Sequence, residues 1–264
     1  MPTHALKTVA RTVFRRLGYE VVPNDWFKKH SVRKDIYPDI DRATQELFYS
    51  VQEITLSGME RVAALRQAVE YIVRHNIPGD VVECGVWKGG SMVVIAKTLL
   101  EQKAATRKLY LFDTFTGMTA PTEADKDLRG TNASNLLEAA KEQKANSNVW
   151  AVAPLEGVKE VMQATGYAPE KIMYVEGRVE ETIPAQAPAQ ISLLRLDTDW
   201  YESTYHELVH LFPRLSVGGV LLIDDYGHWE GARRAVDQYL AQKKVRVLLN
   251  RIDYTGRICV KVDP

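Results

Sequence analysis

Seven short apolar runs punctuate the chain after residue 79, at 80–84, 108–113, 172–176, 191–197, 219–224, 245–252 and 257–262. The first five alternate with stretches of helical apolar spacing at 91–103, at 133–143 with 155–165, at 179–182 and at 203–215. A further helix at 230–243 leads to the last two runs. Continuous apolar strands separated by helices predict a mostly parallel sheet covered on both faces. Only Asp253, Tyr254, Thr255 and Gly256 separate the last two runs, so these form an antiparallel hairpin. Five parallel strands closed by a hairpin make a seven-stranded α/β sheet. Upstream, Met59, Val62, Leu65, Val69 and Ile72 recur at helical spacing until the turn at 75–79. Residues 6–17 are also amphipathic, with Lys7, Arg11, Arg15 and Arg16 opposite the apolar stripe. That helix either packs on the body or a partner subunit, or lays its basic face on a membrane surface. Residues 23–58 are mixed and aromatic and read as an irregular cap. The expected division is therefore a helical cap at 1–57 and the sheet domain at 58–264.

Bulk properties narrow the class. The 264 residues are 45% hydrophobic, enough for a sizeable core. Lys+Arg and Asp+Glu both number 34, so there is no global basic field of the kind that holds nucleic acid. Cys84 and Cys259, the two cysteines, have no metal-ligand spacing and suggest no disulfide framework, which makes a reducing cytoplasm the expected location. No apolar stretch approaches the ~18 residues of a transmembrane span, and no signal-peptide pattern opens the chain.

The candidate chemistry sits where the strands end. Strand one runs into a glycine turn, with Glu83 closing the strand and Gly85, Gly89 and Gly90 letting a ligand approach the backbone. Ser91 is placed as the cap of the following helix. A carboxylate beside such a turn disfavours a dinucleotide pyrophosphate and favours the amino group and positive sulfonium of S-adenosylmethionine. Asp113, at the end of strand two, is the candidate for ribose hydroxyls; Gly177, after strand three, is one for the adenine edge. Asp197 closes strand four, and Asp224 and Asp225 close strand five. In the expected strand order these ends share one crevice, so Glu83, Asp197, Asp224 and Asp225 converge. An all-oxygen set without His or Cys suits Mg²⁺ better than zinc. Asp199, two residues beyond Asp197, has the reach of a general base or of a residue orienting the ligands. A divalent cation there would hold adjacent hydroxyls and acidify the attacking one, and an aspartate would take its proton. Seven strands with a closing hairpin suit the Rossmann-like sheet of class I S-adenosylmethionine-dependent methyltransferases; a dehydrogenase Rossmann sheet carries six parallel strands. His75, His206, His210 and His228 lack a spacing that demands a metal; His228 is expected on an exposed loop, with lining of the acceptor pocket as the alternative. Trp87, Trp200 and Tyr201 either stack on a sugar or seal the cleft, and Arg233 and Arg234 are expected to cover a helix face.

The segments at 78–91, 111–118, 174–184, 194–204 and 213–227 with the helix that follows resemble the macrocin/mycinamicin (TylF/MycF) O-methyltransferase family, over roughly residues 58–240. The resemblance implies a sugar O-methyltransferase that uses S-adenosylmethionine and Mg²⁺. It implies metal ligands at Asp197, Asp224 and Asp225, and cofactor contacts along the turn from Glu83 to Ser91 and at Asp113 and Thr114. It also implies a cofactor lid at the helix opening of Met59, Glu60 and Arg61. Thr116 stands where the family commonly has Glu. The implied partner is a sugar or a small-molecule glycoside. With the amphipathic N-terminus, the resemblance favours a homo-oligomer. A catechol- or phenol-type O-methyltransferase is the alternative within the same chemistry. A non-catalytic cofactor-binding protein would not need the intact acid set.

Overall fold

The alternation of apolar runs and helices folds as one seven-stranded sheet with strand order β3-β2-β1-β4-β5-β7-β6. The computed structural model describes residues 37–263. The chain divides into two compact units, Met1–Asp41 and Arg42–Pro264. Of the first, only residues 37–41 are described; the amphipathic stretch at 6–17 lies outside the described residues. The second unit runs α1 (Arg42–Val51), α2 (Met59–Arg74), β1 (Asp80–Cys84), α3 (Gly90–Glu101), β2 (Leu109–Asp113), α4 (Ala133–Ala139) and α5 (Leu155–Gln163). It continues with β3 (Ile172–Glu176), α6 (Val179–Thr182), β4 (Ile191–Leu196), α7 (Tyr201–Leu211), β5 (Leu215–Ile223), α8 (Glu230–Lys243), β6 (Asn250–Arg251) and β7 (Arg257–Val260). Helix α1, which the sequence placed in the cap, belongs to this unit, since Leu47 and Val51 join the core of α2 and α3.

Strands β1 to β5 pair in parallel, and β7 and β6 close the sheet antiparallel. β1 lies at the centre between β2 and β4, so the winding reverses there and opens a crevice beyond the strand ends. One face is covered by α2 and α3, through Val69, Ile72, Ile95 and Leu99 against Val81, Leu111 and Leu193. The other is covered by α7 and α8, through Leu208, Leu211, Val236 and Tyr239 against Val82, Leu194 and Leu196. Truncating one such buried leucine to alanine costs about 2–5 kcal/mol. Among the described residues, no helix is long and apolar enough to cross a membrane.

Three element boundaries differ from the sequence expectation. α7 stops at Leu211, and Leu215 already pairs with Ile191, so β5 begins four residues early. Pro213 ends the helix, and Gly218, with φ +82°, absorbs the register shift within β5. β6 is only Asn250–Arg251, because Val245, Val247 and Leu249 pack on the second core instead of extending the edge. The stretch at 133–143 leaves α-geometry after Ala139.

Candidate active site

The β1 glycine turn is built by a side chain from the neighbouring strand. Oδ2 of Asp113 accepts the backbone N–H groups of Val86 (2.7 Å) and Trp87 (3.0 Å), and Oδ1 accepts that of Phe115 (2.7 Å). Asp113 therefore braces the turn as well as facing the cleft. Burial pushes its carboxyl up, against these three bonds. Gly85 has φ +81°, and a Cβ there would lie 1.9 Å from the Asp197 carbonyl oxygen, so the chains leaving the parallel neighbours β1 and β4 approach where only glycine fits. The cap of α3 is Gly89 in the left-handed region, not Ser91. Ser91 lies inside the first turn, because Gly89 reverses the chain two residues earlier.

A cleft of about 360 Å³ opens over these strand ends. Gly85, Ser91, Asp113, Thr114 and Gly177 line it, as does Arg61. Of the other expected cofactor residues, Met59 is buried in the body, and Glu60 and Gly89 lie off the cleft wall. Glu83 is sealed beneath the floor, fully buried, with Oε1 on Arg195 at 2.7 Å and Oε2 without a partner. Burial raises its pKa to about 8, against the pull of Arg195.

Arg195 organises the acidic floor. It is the penultimate residue of β4, 4% exposed. Its Nη1 donates to Glu83 and to Asp197 (2.5 Å); its Nη2 donates to Asp224 and to the Ser57 hydroxyl (3.2 Å). Arg61 takes the other oxygen of Asp224, reaches Asp253 at 3.1 Å and donates to the Leu56 carbonyl at 3.1 Å. Both oxygens of Asp224 are thus occupied by guanidinium groups. The three carboxylates that come together are Asp197, Asp199 and Asp225, each offering an oxygen within 4.8 Å of the other two. The sequence reading had Asp224 in that set and Asp199 outside it. Asp199 joins because its backbone is left-handed, φ +67°, which turns its carboxylate back toward β5. Oδ2 of Asp225 is buried with no partner. Burial lifts Asp199 to about 7 and pushes Asp225 well above the carboxylate range, reinforced by the neighbouring acids. Six carboxylates (Glu83, Asp197, Asp199, Asp224, Asp225 and, through Arg61, Asp253) meet two guanidinium groups, so acids outnumber cations at the floor.

Sequence reasoning missed Arg195 although the signal was present. A charged residue inside a continuous apolar strand must be paired, and the acids at the adjacent strand ends are the opposite charges within its reach.

The far wall is apolar. Met118, Leu136 and Val149, from the insert between β2 and α5, face the cleft with His228, Trp229 and Tyr254. Trp229 is hydrogen-bonded to Asp199 and packs edge-on against Trp200 at 4.9 Å. His228, on the turn after β5, is half-buried and lines the cleft; its ring lies 3.5 Å from the Tyr254 hydroxyl, and burial lowers its pKa. Trp200 seals the cleft from behind, with its indole N–H on the Thr119 carbonyl, while Trp87 lines the cleft and Tyr201 stacks on Tyr205 outside it. Arg234 covers Tyr201, and Arg233 covers Tyr226.

Comparison with known proteins places this cleft. The family model described as macrocin-O-methyltransferase (TylF) matches residues 25–261. The 8-demethyl-8-(2,3-dimethoxy-alpha-L-rhamnosyl)-tetracenomycin-C 4'-O-methyltransferase of Streptomyces olivaceus is 30% identical over 250 residues, 94% of this chain and 92% of the relative. The demethyldecarbamoylnovobiocin O-methyltransferase of Streptomyces niveus is 32% identical over 202 residues, 76% of this chain and 73% of the relative. The solved structure of the O-methyltransferase NovP superposes with a TM-score of 0.69 at 29% identity, over 80% of this chain and 83% of that one. A braced glycine turn at the switch point of a seven-stranded sheet, an acidic floor and a match over almost the whole chain lead to one conclusion: the chain belongs to the macrocin-O-methyltransferase family and is an O-methyltransferase.

Proposed function

We propose that the enzyme transfers the methyl group of S-adenosylmethionine to a sugar hydroxyl of a glycosylated small molecule, with a divalent cation, Mg²⁺, at the acidic floor. The observation that carries this reading is the cluster of Asp197, Asp199 and Asp225 beside the β1 turn, with a buried Asp225 oxygen that has no partner. An all-oxygen, charge-deficient site fits a hard cation. Asp197 and Asp225 are the ligands common to sequence pattern and geometry, and Asp199, beside them, is the base. Asp224 joins them only by releasing Arg195 or Arg61. Cofactor residues are Gly85 and Ser91 of the turn, Asp113, Thr114 and Gly177, which line the cleft on the β1–β3 side, with Arg61 from α2. The names of the relatives, a rhamnosyl-tetracenomycin 4'-O-methyltransferase and a mycinamicin III 3''-O-methyltransferase, support a sugar acceptor.

When bound, the cation polarises the acceptor hydroxyl. The chain's own residues do the rest. The glycine turn and Arg61 hold the donor so that its methyl faces the floor, and the apolar wall holds the acceptor in line with it. The acceptor oxygen bonds to the methyl carbon as the carbon–sulfur bond breaks and its electron pair returns to sulfur. Asp199, lifted to about 7, takes the hydroxyl proton. A cytoplasmic homo-oligomer without nucleic-acid partners completes the reading.

The test is calorimetry with S-adenosylmethionine and with NAD, followed by turnover on rhamnosides and catechols with EDTA or Mg²⁺. S-adenosylmethionine binding in the micromolar range, and rhamnoside methylation lost with EDTA and restored by Mg²⁺, are expected. Catechol turnover alone would overturn the sugar acceptor; full activity in EDTA would overturn the cation.

A further inference from the structure

Three residues of the insert, Asp125, Lys126 and Asp127, lie outside the cleft and bridge the two segments that carry the cluster. Asp125 is completely buried. Its Oδ1 accepts the backbone N–H of Tyr201, the first residue of α7 and two residues beyond Asp199 (2.8 Å). Its Oδ2 accepts the backbone N–H and the hydroxyl of Thr122 (2.7 and 2.9 Å). Its carbonyl receives Ala133 N–H, the first residue of α4. The next carbonyl, that of Lys126, receives the N–H of Glu230, the first residue of α8 (2.8 Å). Asp127 forms a β-bridge with Trp229. One short strap thus holds the starts of α4, α7 and α8. The strap lies close against α8, because a Cβ on Gly231 would fall 2.0 Å from Asp125 Oδ1.

What the strap holds is the mounting of the cluster. Tyr201 follows Asp199 and Trp200; Trp229 follows Asp225 and is itself hydrogen-bonded to Asp199. At the strand ends Asp224 N–H still bonds the Leu196 carbonyl and Arg195 ties Asp197 to Asp224; beyond them the strap adds the tie between the start of α7 and the start of α8. Either side of the strap, the insert carries Met118 and Leu136, which pack on the cluster of Trp200 and Trp229 and line the apolar wall.

We propose that Asp125 is a positioning residue of the methyl transfer: it clasps the starts of α7 and α8, sets the separation of Asp199 from Asp225, and seats the apolar wall against the acceptor. The proposal rests on the reading of that cluster as the cation and acceptor end of the cleft. A buried carboxylate with three accepted bonds is a rigid fixture, because a released partner would be left unsatisfied in the interior.

Three variants test it: Asp125→Asn, which keeps an acceptor for Tyr201 but turns an amide toward Thr122; Gly231→Ala, which pushes the clasp off with Asp125 intact; and Thr122→Val, which removes one bond. Amide hydrogen exchange is the first readout. Faster exchange at 197–201 and 224–231, with β1 to β3 unchanged, is expected in all three, with Thr122→Val the mildest. Mn²⁺ affinity, read by electron paramagnetic resonance, is expected to fall at least tenfold in the first two. Acceptor KM is expected to rise similarly, while S-adenosylmethionine affinity stays within twofold. Unchanged exchange at both loops, or parallel loss of cofactor and cation affinity in a folded variant, overturns the clasp. If the parent enzyme binds no Mn²⁺, the cation reading fails, and the exchange pattern with the acceptor KM still decides the clasp.

Discussion

At the scale of single residues, the site is a problem in charge. Six carboxylates converge on two guanidinium groups, and each solution to the excess leaves a different signature. Asp197→Asn and Asp225→Asn are predicted to cut turnover at least about a thousandfold while leaving S-adenosylmethionine affinity within threefold, measured by calorimetry. Asp224→Asn acts differently, since it strips a charge from Arg61 and Arg195 together. Breaking a buried pair from one side costs about 3–5 kcal/mol, so urea unfolding should show a loss of that order alongside any loss of rate. Glu83 gives a pH signature. Its folded pKa of about 8 lies above the ordinary value of 4.5, so the native state holds a proton that the unfolded chain releases. Its contribution to stability is therefore complete below about 4.5 and is lost as pH rises through about 8. In EDTA, the Tm of the parent protein should fall between pH 6 and 9, and Glu83→Gln should flatten that fall; an equal slope in both would reject the assignment. The strand-end acids were legible in the sequence because each terminates an apolar run. Their partition was not. Which carboxylate meets an arginine and which faces the cleft depends on Arg195 reaching across from β4, and on the left-handed turn at Asp199.

At the scale of elements, the periodicity of apolar residues found the strands and most helices to within a few residues, because each buries a complete face. It failed where burial is partial. β6 shrinks to two residues at an edge, and β5 starts early because Gly218 allows a bulge that no hydrophobic pattern announces. The insert between β2 and α5 was equally opaque. Its anchor is Asp125, a carboxylate in a polar stretch whose role exists only once Tyr201 and Thr122 are beside it. Glycines separate the two kinds of turn. Gly85→Ala meets the Asp197 carbonyl at 1.9 Å in a left-handed backbone, and should destabilise by more than about 3 kcal/mol. Gly130→Ala has the same backbone sign, φ +82°, but open space around it, and should cost only about 1 kcal/mol. Thermal unfolding of the pair measures the difference, which isolates close approach from backbone strain. Similar losses in both would mean that the close approach beyond β1 and β4 tolerates a side chain.

At the scale of the whole molecule, the chain is neutral, with 34 residues of each sign, yet its cleft is not. The acidic floor is a local debt of positive charge that folding leaves open for ligands, so the stability of the apo protein and its affinity for a cation are linked. A ligand that binds only the native state adds RT ln(1 + [L]/Kd), about 2.7 kcal/mol at one hundred times Kd. For a unit of this size, each kcal/mol moves Tm by about 2–4 °C, so saturating Mg²⁺ should raise Tm by about 5–11 °C over EDTA. The direction of its pH dependence follows from the same carboxyls. Burial lifts Asp199 to about 7 and pushes Asp225 up as well, so at low pH a cation must compete with their protons and at high pH it need not. The gap between the Mg²⁺ and EDTA curves should therefore widen from pH 6 to pH 9. Two forces set that widening: the cation-free protein loses stability with rising pH, while the loaded one is protected by tighter binding. Differential scanning calorimetry at the two pH values, with Na⁺ at matched ionic strength as the control, separates specific binding from screening. A gap that is absent, that Na⁺ reproduces, or that narrows toward pH 9 would mean that protons alone close the charge deficit of the floor.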